Sequence, residues 1–227
     1  MISLTALVLT KNEESNIGRT LEAIRWIDNV LIIDSFSSDL TLDIARSCHP
    51  NIRVVQREFL SFADQCNFGL SQIETEWVLS LDADYILQPE LAKEIQQLTP
   101  PADVAGYSGD FIYCIGGKPL RGTVYPSRTV LYRRGLAHCR DEGHGHRVEV
   151  KGRIERLEGK IYHDDRKPFG RWMAEQKKYV KLETAHLRAQ PFNELSPPDK
   201  LRRAIFFAPP AMFYYTLLMR GLILDGW

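Results

Sequence analysis

Carboxylate side chains follow directly on an apolar run in the middle of the chain. The segment Asp82-Ala83-Asp84 comes immediately after a run that ends at Leu81. Residues two apart at the end of a strand can point to the same side, and hard carboxylate oxygens are suitable ligands for Mg²⁺ or Mn²⁺. We therefore predict a divalent metal site with Asp84 and Asp82 as ligands. The alternative is that both aspartates only cap the turn that follows.

Two further polar segments follow apolar runs in the same way. Residues 10–14 read Thr-Lys-Asn-Glu-Glu, and residues 34–39 begin and end with aspartate. Ligands of an open parallel sheet bind at the carboxyl ends of its strands, so we expect all three segments to border one site. The chain has no GxxxxGK[ST] or GxGxxG loop for phosphates, which argues against a P-loop or dinucleotide site. A divalent cation would have to stand between these carboxylates and a nucleotide diphosphate.

The elements that must position these residues alternate over the first hundred positions. Short apolar runs predict strands, and apolar residues at helical spacing between them predict helices. Strands that are buried on both faces are typical of a parallel sheet, so the predicted fold class is α/β. The predicted strands are 4–9, 30–33, 52–55 and 77–81, and the predicted helices are 17–24, 41–48, 61–73 and 89–98.

Beyond residue 100 the pattern changes to shorter strands separated by glycines, and then to helices. The predicted strands are 107–115, 129–132, 147–150 and 160–162, followed by an amphipathic helix over 168–189. The predicted organisation is therefore a half at 1–100, a second, smaller β half of the same domain at 101–167, and C-terminal helices at 168–227.

The C-terminal tail is the most apolar part of the chain. Residues 204–219 carry no charge over 16 positions and are flanked by Arg202-Arg203 and Arg220. This is shorter than the ~20 residues of a spanning helix, and Pro209-Pro210 interrupts it. Aromatic residues between basic flanks suit the headgroup region of an anionic bilayer. We predict that residues 201–227 lie on a membrane surface; the alternatives are a buried helix or a homodimer contact.

Charge is divided unevenly along the chain. The 227 residues include 29 basic and 29 acidic side chains, but residues 1–99 hold 7 basic and 15 acidic ones, a net charge of −8, and the remainder has +8. The composition, with 44% hydrophobic and 26% charged residues, excludes disorder as the main character. Basic residues interleaved with acids, without a recognition motif, argue against nucleic-acid binding.

The cysteines and the N-terminus predict the cellular compartment. The four cysteines are scattered without a CxxC spacing, which favours reduced thiols over a disulfide framework or a zinc site. Met1 leads into an apolar run with no basic region or cleavage site, so we expect no secretory signal. The expected location is cytoplasmic.

Three motifs follow one another in the first hundred residues. They are Val8-Leu9-Thr10-Lys11-Asn12-Glu13-Glu14, Ile32-Ile33-Asp34-Ser35 with Asp39, and Leu81-Asp82-Ala83-Asp84. Their combination resembles the nucleotide-sugar half of family 2 glycosyltransferases, which implies a GT-A fold with a Rossmann-like sheet, a donor half at 1–100 and an acceptor side at 101–167. The stretches 143–147 and 163–168, with Arg171-Trp172, are similar to a bacterial subgroup that includes lipopolysaccharide-core β-1,4-glucosyltransferases.

The resemblance implies roles for individual residues. Thr10, Asn12 and Glu13 would border the nucleoside, Asp34 would hydrogen-bond the uracil, Asp82 would contact the ribose or a metal-bound water, and Asp84 would ligate the metal. Leu40 stands where many relatives have glycine, so no role is carried over to Asp39.

The resemblance also implies an inverting reaction, in which a base takes the proton of the acceptor hydroxyl. Candidates from the second half are Asp141, Glu142, His144 and His146. Many relatives have a His-Glu or Glu-Asp pair here, but the matching stretch reads His146-Arg147, so we fall back on the nearby acids. Glu142 is the preferred candidate and Asp141 the second; the alternative is a solvated turn.

Basic residues after the last predicted strand could face the donor diphosphate. The resemblance permits His163 as a further metal or diphosphate ligand, and Arg166 follows closely as a donor-binding cation, with Lys167 and Arg171 beside it. The alternatives are a hydrogen-bonded strand-end histidine and a solvated helix start.

Together these features predict a metal-dependent inverting hexosyltransferase. It would use Mg²⁺ or Mn²⁺ and move a hexose from a UDP-sugar to an acceptor hydroxyl. The acceptor would be a membrane-borne glycolipid or a lipopolysaccharide or exopolysaccharide precursor, and the reaction would take place at the cytoplasmic face of the inner membrane. One alternative is a Mg²⁺-dependent sugar nucleotidyltransferase, although residues 10–14 are not a glycine-rich basic loop. The other is a non-catalytic scaffold at the membrane.

Overall fold

A computed structural model describes residues 2–143 and 145–226. One curled sheet of nine strands forms its centre, and a two-stranded hairpin lies apart from it. The strands are β1 (Leu4–Thr10), β2 (Asn29–Asp34), β3 (Ile52–Gln56), β4 (Trp77–Asp82), β5 (Tyr85–Leu87), β6 (Val104–Ile115), β7 (Lys118–Pro119), β8 (Arg128–Arg133), β9 (Ala137–Glu142), β10 (Gly145–Val150) and β11 (Arg153–His163). The helices are α1 (Ile17–Ala23), α2 (Thr41–Cys48), α3 (Phe62–Ser71), α4 (Pro89–Gln97), α5 (Phe169–Ala189), α6 (Pro197–Arg203) and α7 (Ala208–Tyr214).

The strand order is β3-β2-β1-β4-β8-β6-β11-β5, and β7 pairs with β6. The first four strands in this order are parallel to one another. Their parallel pairing follows from burial on both faces, since nearly every side chain of β1 is inaccessible to solvent. The predicted four strands and four helices of the first hundred residues are confirmed.

The parallel pairing brings the predicted polar segments to one edge of the sheet. In the register of the strands, Thr10 of β1 lies opposite Asp34 of β2, and Leu9 lies opposite Asp82 of β4. The carboxyl ends of β1, β2 and β4 therefore meet, as their parallel direction requires. We refer to this place as the sheet edge.

The structure contains strands that the apolar pattern did not predict. β5 has only three residues and pairs with β11, and β9 pairs with β10 in the separate hairpin. Three of the six β9 residues are exposed and charged or polar, so no apolar alternation indicates the strand. The alternative interpretation of Asp141 and Glu142 as a solvated turn is wrong, because both lie in β9.

The expectation of four reduced thiols is wrong for two of the cysteines. Cys66 of α3 and Cys139 of β9 form a disulfide in the structure, with their Cα atoms 6.3 Å apart. Cys48 and Cys114 are free. The pair is 73 residues apart in the chain and is brought together by the packing of α3 on β9, which cysteine spacing alone does not reveal.

Gly159 provides a test of how β11 packs on α4. A Cβ atom there would lie 2.5 Å from Cβ and 2.6 Å from Cα of Leu91, and the Gly159 amide already donates to Glu94 at 2.9 Å. We expect Gly159→Ala to lower the free energy of unfolding by about 2–3 kcal/mol, since helix backbone must move to make room.

Urea unfolding measures this effect against Gly135→Ala, because a Cβ at Gly135 meets no atom within 4 Å. The control should change stability by no more than about 0.5 kcal/mol. Equal unfolding midpoints for the two variants would contradict the close approach of β11 to α4.

The C-terminal elements lie largely on the surface. α5 buries none of its residues fully, and α6 and α7 are followed by a π-helical turn at Tyr215–Met219. The tail returns to the main body where Arg220 donates to the Thr123 carbonyl at 2.7 Å and Arg121 pairs with Asp225. Among the described residues, no helix has both the length and the apolar character needed to cross a bilayer.

Candidate active site

The sheet edge is built around the carboxylate of Asp34. This side chain is fully buried and accepts hydrogen bonds from Thr10 Oγ1 at 3.0 Å, from Gln56 Nε2 at 3.0 Å and from both the amide and the hydroxyl of Ser37. Four donors use all the lone-pair positions of a carboxylate. A ligand that hydrogen-bonds Asp34 must therefore replace one of them.

The loops after β1 and β2 are joined to each other. The backbone N–H of Asn12 donates to Ser37 Oγ at 2.8 Å, and the side-chain Oδ1 of Asn12 accepts from the backbone N–H of Ser38 at 2.7 Å. Asn12 adopts a left-handed backbone conformation with φ of 55°, which asparagine tolerates better than most residues. Asp39 accepts from the Glu14 amide at 3.2 Å, so its carboxylate connects the same two loops.

Glu13 contacts the segment that follows β11. Its carboxylate accepts from Lys167 Nζ at 2.8 Å and from Asn16 Nδ2 at 2.9 Å, and the same Asn16 nitrogen donates to Asp165 at 2.9 Å. Burial raises the pKa of Glu13 to about 7, although the charge of Lys167 opposes this shift. Glu13 thus fastens the segment to α1, and its carboxylate does not face open space as a nucleoside contact would require.

Arg166 is held by a neighbouring carboxylate. Asp164 is almost fully buried and accepts from Arg166 Nε at 2.9 Å and from Arg19 Nη1 at 2.6 Å. It also accepts from the Gly117 amide at 3.1 Å. In this arrangement the predicted donor cation Arg166 is paired within the protein. Lys167, whose side chain is 9% exposed, instead pairs with Glu13 and is also close enough to Asp84 for that charge to raise its pKa.

Asp84 and His163 come together across the turn between β4 and β5. His163 lies opposite Tyr85 in the β5–β11 pair, and its Nε2 is 3.1 Å from Asp84 Oδ2. Burial alone would raise the pKa of Asp84, but the hydrogen bond from His163 holds it below its usual value. Burial likewise opposes protonation of His163, yet Asp84 and then Asp82 raise its pKa. Each member of the pair therefore favours the charged form of the other.

Each member of this pair keeps one buried atom without a partner. Asp84 Oδ1 and His163 Nδ1 have no hydrogen-bond partner among the described residues. Buried polar atoms of this kind call for an explanation, such as a ligand or an ion. Three tyrosine rings pack around the imidazole, with centroids 4.5, 5.1 and 5.2 Å away for Tyr113, Tyr125 and Tyr85.

A cavity of about 370 Å³ lies beside the pair, between the end of β4, the start of β8 and the β9–β10 hairpin. We call it the hairpin cavity. Charged side chains of both signs line it, together with small and apolar residues. Its charged or titratable members are Asp82, Tyr85, Arg128, Glu142, His146 and Arg147. Asp82, two residues before Asp84, thus belongs to the lining of the hairpin cavity.

The two candidate bases have different surroundings. Asp141 accepts a hydrogen bond from the Ala63 amide at 3.1 Å, in the first turn of α3, where a carboxylate stabilises a helix N-terminus. Glu142 lines the hairpin cavity and pairs with Arg147 at 2.9 Å. His146 lines the same cavity, and burial lowers its pKa. The fourth candidate, His144, lies outside the described residues.

The family model for glycosyl transferase family 2 matches residues 5–149. The match covers well over half of the chain and includes every strand from β1 to β10 apart from the ends of the outermost two. The chain belongs to glycosyl transferase family 2. His163, Arg166 and Lys167 lie beyond the matched residues, so the family model does not cover this part of the site.

Curated proteins of the same kind match part of the chain. An uncharacterised glycosyltransferase of Rickettsia typhi is 33% identical over 99 residues, which are 43% of this chain and 33% of that protein. The lipopolysaccharide core biosynthesis glycosyltransferase LpsC of Rhizobium meliloti is 28% identical over 140 residues, which are 60% of this chain and 50% of that protein. The matched segments span a third to a half of these relatives.

A solved structure shares the architecture of this glycosyltransferase. Glucosyl-3-phosphoglycerate synthase from Mycobacterium tuberculosis, in complex with Mn²⁺, UDP and phosphoglyceric acid, superposes with a TM-score of 0.53 at 15% identity. The likeness covers 82% of this chain and 78% of that one. Such low identity shows the fold alone, which is GT-A, as the motifs predict.

The GT-A fold implies a divalent metal ion, and the described residues of this chain fit one. The unpartnered Oδ1 of Asp84 is a hard oxygen ligand, and a neutral His163 would offer its unpartnered ring nitrogen. The three predicted ligands do not form a compact set: among residues 2–143 and 145–226, the only group of three or more ligand atoms within 4.8 Å is Cys66, Cys139 and His146. Two of these are the disulfide.

The structure adds residues that the sequence motifs did not single out. Gln56 completes the set of donors to Asp34, and Arg128 enters the hairpin cavity. Lys167 was noted only as a neighbour of Arg166 and is the more buried cation. The position of Lys167, four residues after the end of the strand that carries His163, was the available signal for it, but the motifs give no signal for Arg128 or Gln56.

Proposed function

We propose that this glycosyltransferase moves a hexose from a UDP-sugar to a hydroxyl of a saccharide that becomes part of a cell-surface polysaccharide. The observation that carries the proposal is the meeting of Asp84 and His163, each with an unpartnered buried atom, at the end of the strand next to Thr10 and Asp34. This arrangement suits a nucleotide over the sheet edge with its diphosphate at the Asp84 pair. LpsC, the lipopolysaccharide-core relative, supports the polysaccharide class.

The nucleoside side of the donor site is rigid. Thr10, Asn12 and Ser37 tie the loops after β1 and β2 together, so the uracil would enter a preformed slot and hydrogen-bond Asp34 in place of one internal donor. We assign Glu13 the role of holding Lys167 and Asn16 in position rather than contacting the nucleoside. Asp82 would border the ribose or a metal-bound water.

The leaving diphosphate needs its developing negative charge neutralised. Asp84 and His163 would hold Mg²⁺ or Mn²⁺, which when bound acts as a Lewis acid on the diphosphate. Lys167 keeps its proton because Glu13 and Asp84 raise its pKa, although burial opposes this, and it places a fixed positive charge next to the pair. Arg166 could join it only by leaving Asp164.

The acceptor hydroxyl needs a base on the other side of Asp82. We assign this role to Glu142, because it lines the hairpin cavity while Asp141 is occupied by the α3 amide. In the inverting step, the acceptor oxygen bonds to the anomeric carbon as the bond from that carbon to the diphosphate oxygen breaks. The hydroxyl proton passes to Glu142, and the bonding electrons leave with UDP.

A screen of UDP-sugars tests the donor class. With Mn²⁺ present, we expect one UDP-sugar to raise the melting temperature of the full chain by about 5–10 °C at saturating concentration, and to release UDP slowly to water when no acceptor is present. ADP-glucose is the matched control, since its adenine does not suit the slot at Asp34.

Two results would overturn the donor proposal in favour of the alternatives. Release of pyrophosphate from a nucleoside triphosphate and a sugar 1-phosphate would show a sugar nucleotidyltransferase. Absence of any nucleotide-dependent stabilisation or turnover would favour a non-catalytic scaffold.

We also propose that residues 201–227 bind the cytoplasmic face of the inner membrane without crossing it. Phe206 and Phe207 have exposed fractions of 85% and 68%, and Arg202 and Arg203 immediately precede this apolar stretch. Exposed aromatic side chains beside basic ones suit an anionic headgroup region. The acceptor in this proposal is carried by a glycolipid of the same membrane.

Vesicle flotation tests the membrane proposal. We expect the double variant Phe206→Ser and Phe207→Ser to bind vesicles containing anionic phosphatidylglycerol at least about tenfold more weakly, because each buried Phe contributes roughly 1.5–3 kcal/mol. Phe59→Ser removes another exposed phenylalanine and should leave binding unchanged. Unchanged flotation of the double variant would refute the role of this segment.

A further inference from the structure

Arg128 is a half-buried cation of the hairpin cavity that forms no ion pair with any residue that the structure describes. It is the first residue of β8 and lies at the carboxyl end of β4, since β8 runs antiparallel to β4. Its Nη1 donates to the His146 carbonyl at 3.2 Å, and its guanidinium carbon lies 5.0 Å from the centre of the Tyr125 ring. Its Nε is buried and has no hydrogen-bond partner among the described residues.

This arrangement is unfavourable unless a ligand completes it. A guanidinium cannot lose its proton in a protein, and an unsatisfied buried donor on a charged group costs more than a neutral one. Most of the described arginines pair with a carboxylate, as Arg147 does with Glu142 at 2.9 Å, whereas Arg128 forms no ion pair within the described ranges. Asp82 and Glu142 act on it only from a longer distance.

The position of Arg128 indicates which substrate it would meet. Of the proposed donor contacts, Asp34 and Asp84 lie along the sheet edge, and Asp82 reaches the hairpin cavity, which Arg128 shares with the proposed base Glu142. A base must lie within hydrogen-bond reach of the hydroxyl it deprotonates, so the molecule that fills this cavity is the acceptor. The cavity of about 370 Å³ is within the range of small-molecule sites.

We propose that Arg128 recognises a carboxylate or phosphate group on the acceptor saccharide, so that the enzyme glycosylates an anionic sugar. Arg128 is a specificity-determining residue in this view, because two parallel N–H groups of a guanidinium match two oxygens of such a group. The inference rests on the proposed glycosyl transfer, and it adds the acceptor class to it. Tyr125 limits the movement of the guanidinium from one face.

Binding of three small sugars tests the inference independently of turnover. The full chain, with UDP and Mn²⁺ present, is titrated by calorimetry with glucuronic acid, glucose 6-phosphate and uncharged glucose. We expect at least one charged sugar to bind about 10- to 100-fold more tightly than glucose. Comparison of the two charged sugars distinguishes a carboxylate from a phosphate.

Variants assign the preference to Arg128. Arg128→Gln should remove the preference for the charged sugar, and Arg128→Lys, which keeps the charge but not the paired donors, should retain only part of it. Arg134→Gln, which changes an exposed arginine just beyond the other end of β8, is the matched control and should keep the wild-type preference. Melting temperatures of all variants check that each is folded.

Three outcomes would overturn the inference. They are equal binding of all three sugars by the wild type, a preference that survives in Arg128→Gln, and a loss in Arg128→Gln that falls on UDP affinity, which would place Arg128 at the donor diphosphate. A preserved anion preference in a chain that does not turn over any UDP-sugar would support the site and instead refute the proposed function.

Discussion

Asp84→Asn is expected to lower the rate of sugar transfer by about 1,000-fold or more. The substitution replaces a charged oxygen ligand by a neutral amide. A bound metal stabilises the charge of a leaving diphosphate by several kcal/mol, and each 1.36 kcal/mol changes the rate by a factor of ten. Asn keeps an oxygen that can accept the hydrogen bond from His163 Nε2. The folded structure should therefore persist while Mn²⁺ affinity falls.

Initial rates with Mn²⁺ and calorimetric Mn²⁺ titration measure the two effects. Asp43→Asn is the matched control, because this α2 aspartate has a side chain that is 77% exposed and pairs with Arg46 at 3.8 Å. It should keep wild-type rates and metal affinity. Full activity of Asp84→Asn, or a wild-type enzyme that is indifferent to EDTA, would remove the metal from the proposed mechanism.

The first hundred residues of the fold could be predicted because their signals are local. β1 and β2 are short apolar runs, nearly all of whose residues are buried, and such runs need no knowledge of their partners to be recognised as strands. Their parallel pairing then fixes where Thr10, Asp34 and Asp82 lie. The resemblance to family 2 therefore indicates the same edge of the sheet as the rule that ligands bind at the carboxyl ends of parallel strands.

The contacts that complete the site depend on pairing between distant residues. Glu13 meets Lys167, and Arg19 meets Asp164 across 145 positions of the chain. No spacing pattern within either segment indicates its partner. Glu13 was therefore predicted at the nucleoside on the basis of its motif, while the structure uses its carboxylate to hold the segment after β11.

Strand β9 shows the same limit in the second half of the chain. Its exposed charged residues gave a pattern typical of a surface turn, and this pattern offered no structural reason for ranking Glu142 above Asp141. The alternation of a strand separates them: Asp141 points to the α3 amide, and Glu142 lines the hairpin cavity. The disulfide between α3 and β9 is a second contact that cysteine spacing did not reveal.

Glu142→Gln is expected to lower kcat by about 100- to 10,000-fold, the usual contribution of a general base, with little change in the KM for the UDP-sugar. Gln has nearly the same shape and can still contact Arg147, but it cannot accept the hydroxyl proton. Glu149→Gln is the matched control: it lies in β10 of the same hairpin and pairs with Arg140 at 3.0 Å, with a side chain that is 51% exposed.

Steady-state kinetics with acceptor present, together with the melting temperature, separate loss of the base from loss of structure. Glu149→Gln should keep the wild-type kcat, and both variants should unfold near the wild-type temperature, since neither carboxylate is fully buried. His146 lines the same cavity and is the competing base. If Glu142→Gln retains most of kcat and His146→Gln loses it, the imidazole of His146 is the base instead. Burial lowers the pKa of His146, which makes the neutral imidazole available as a base at neutral pH.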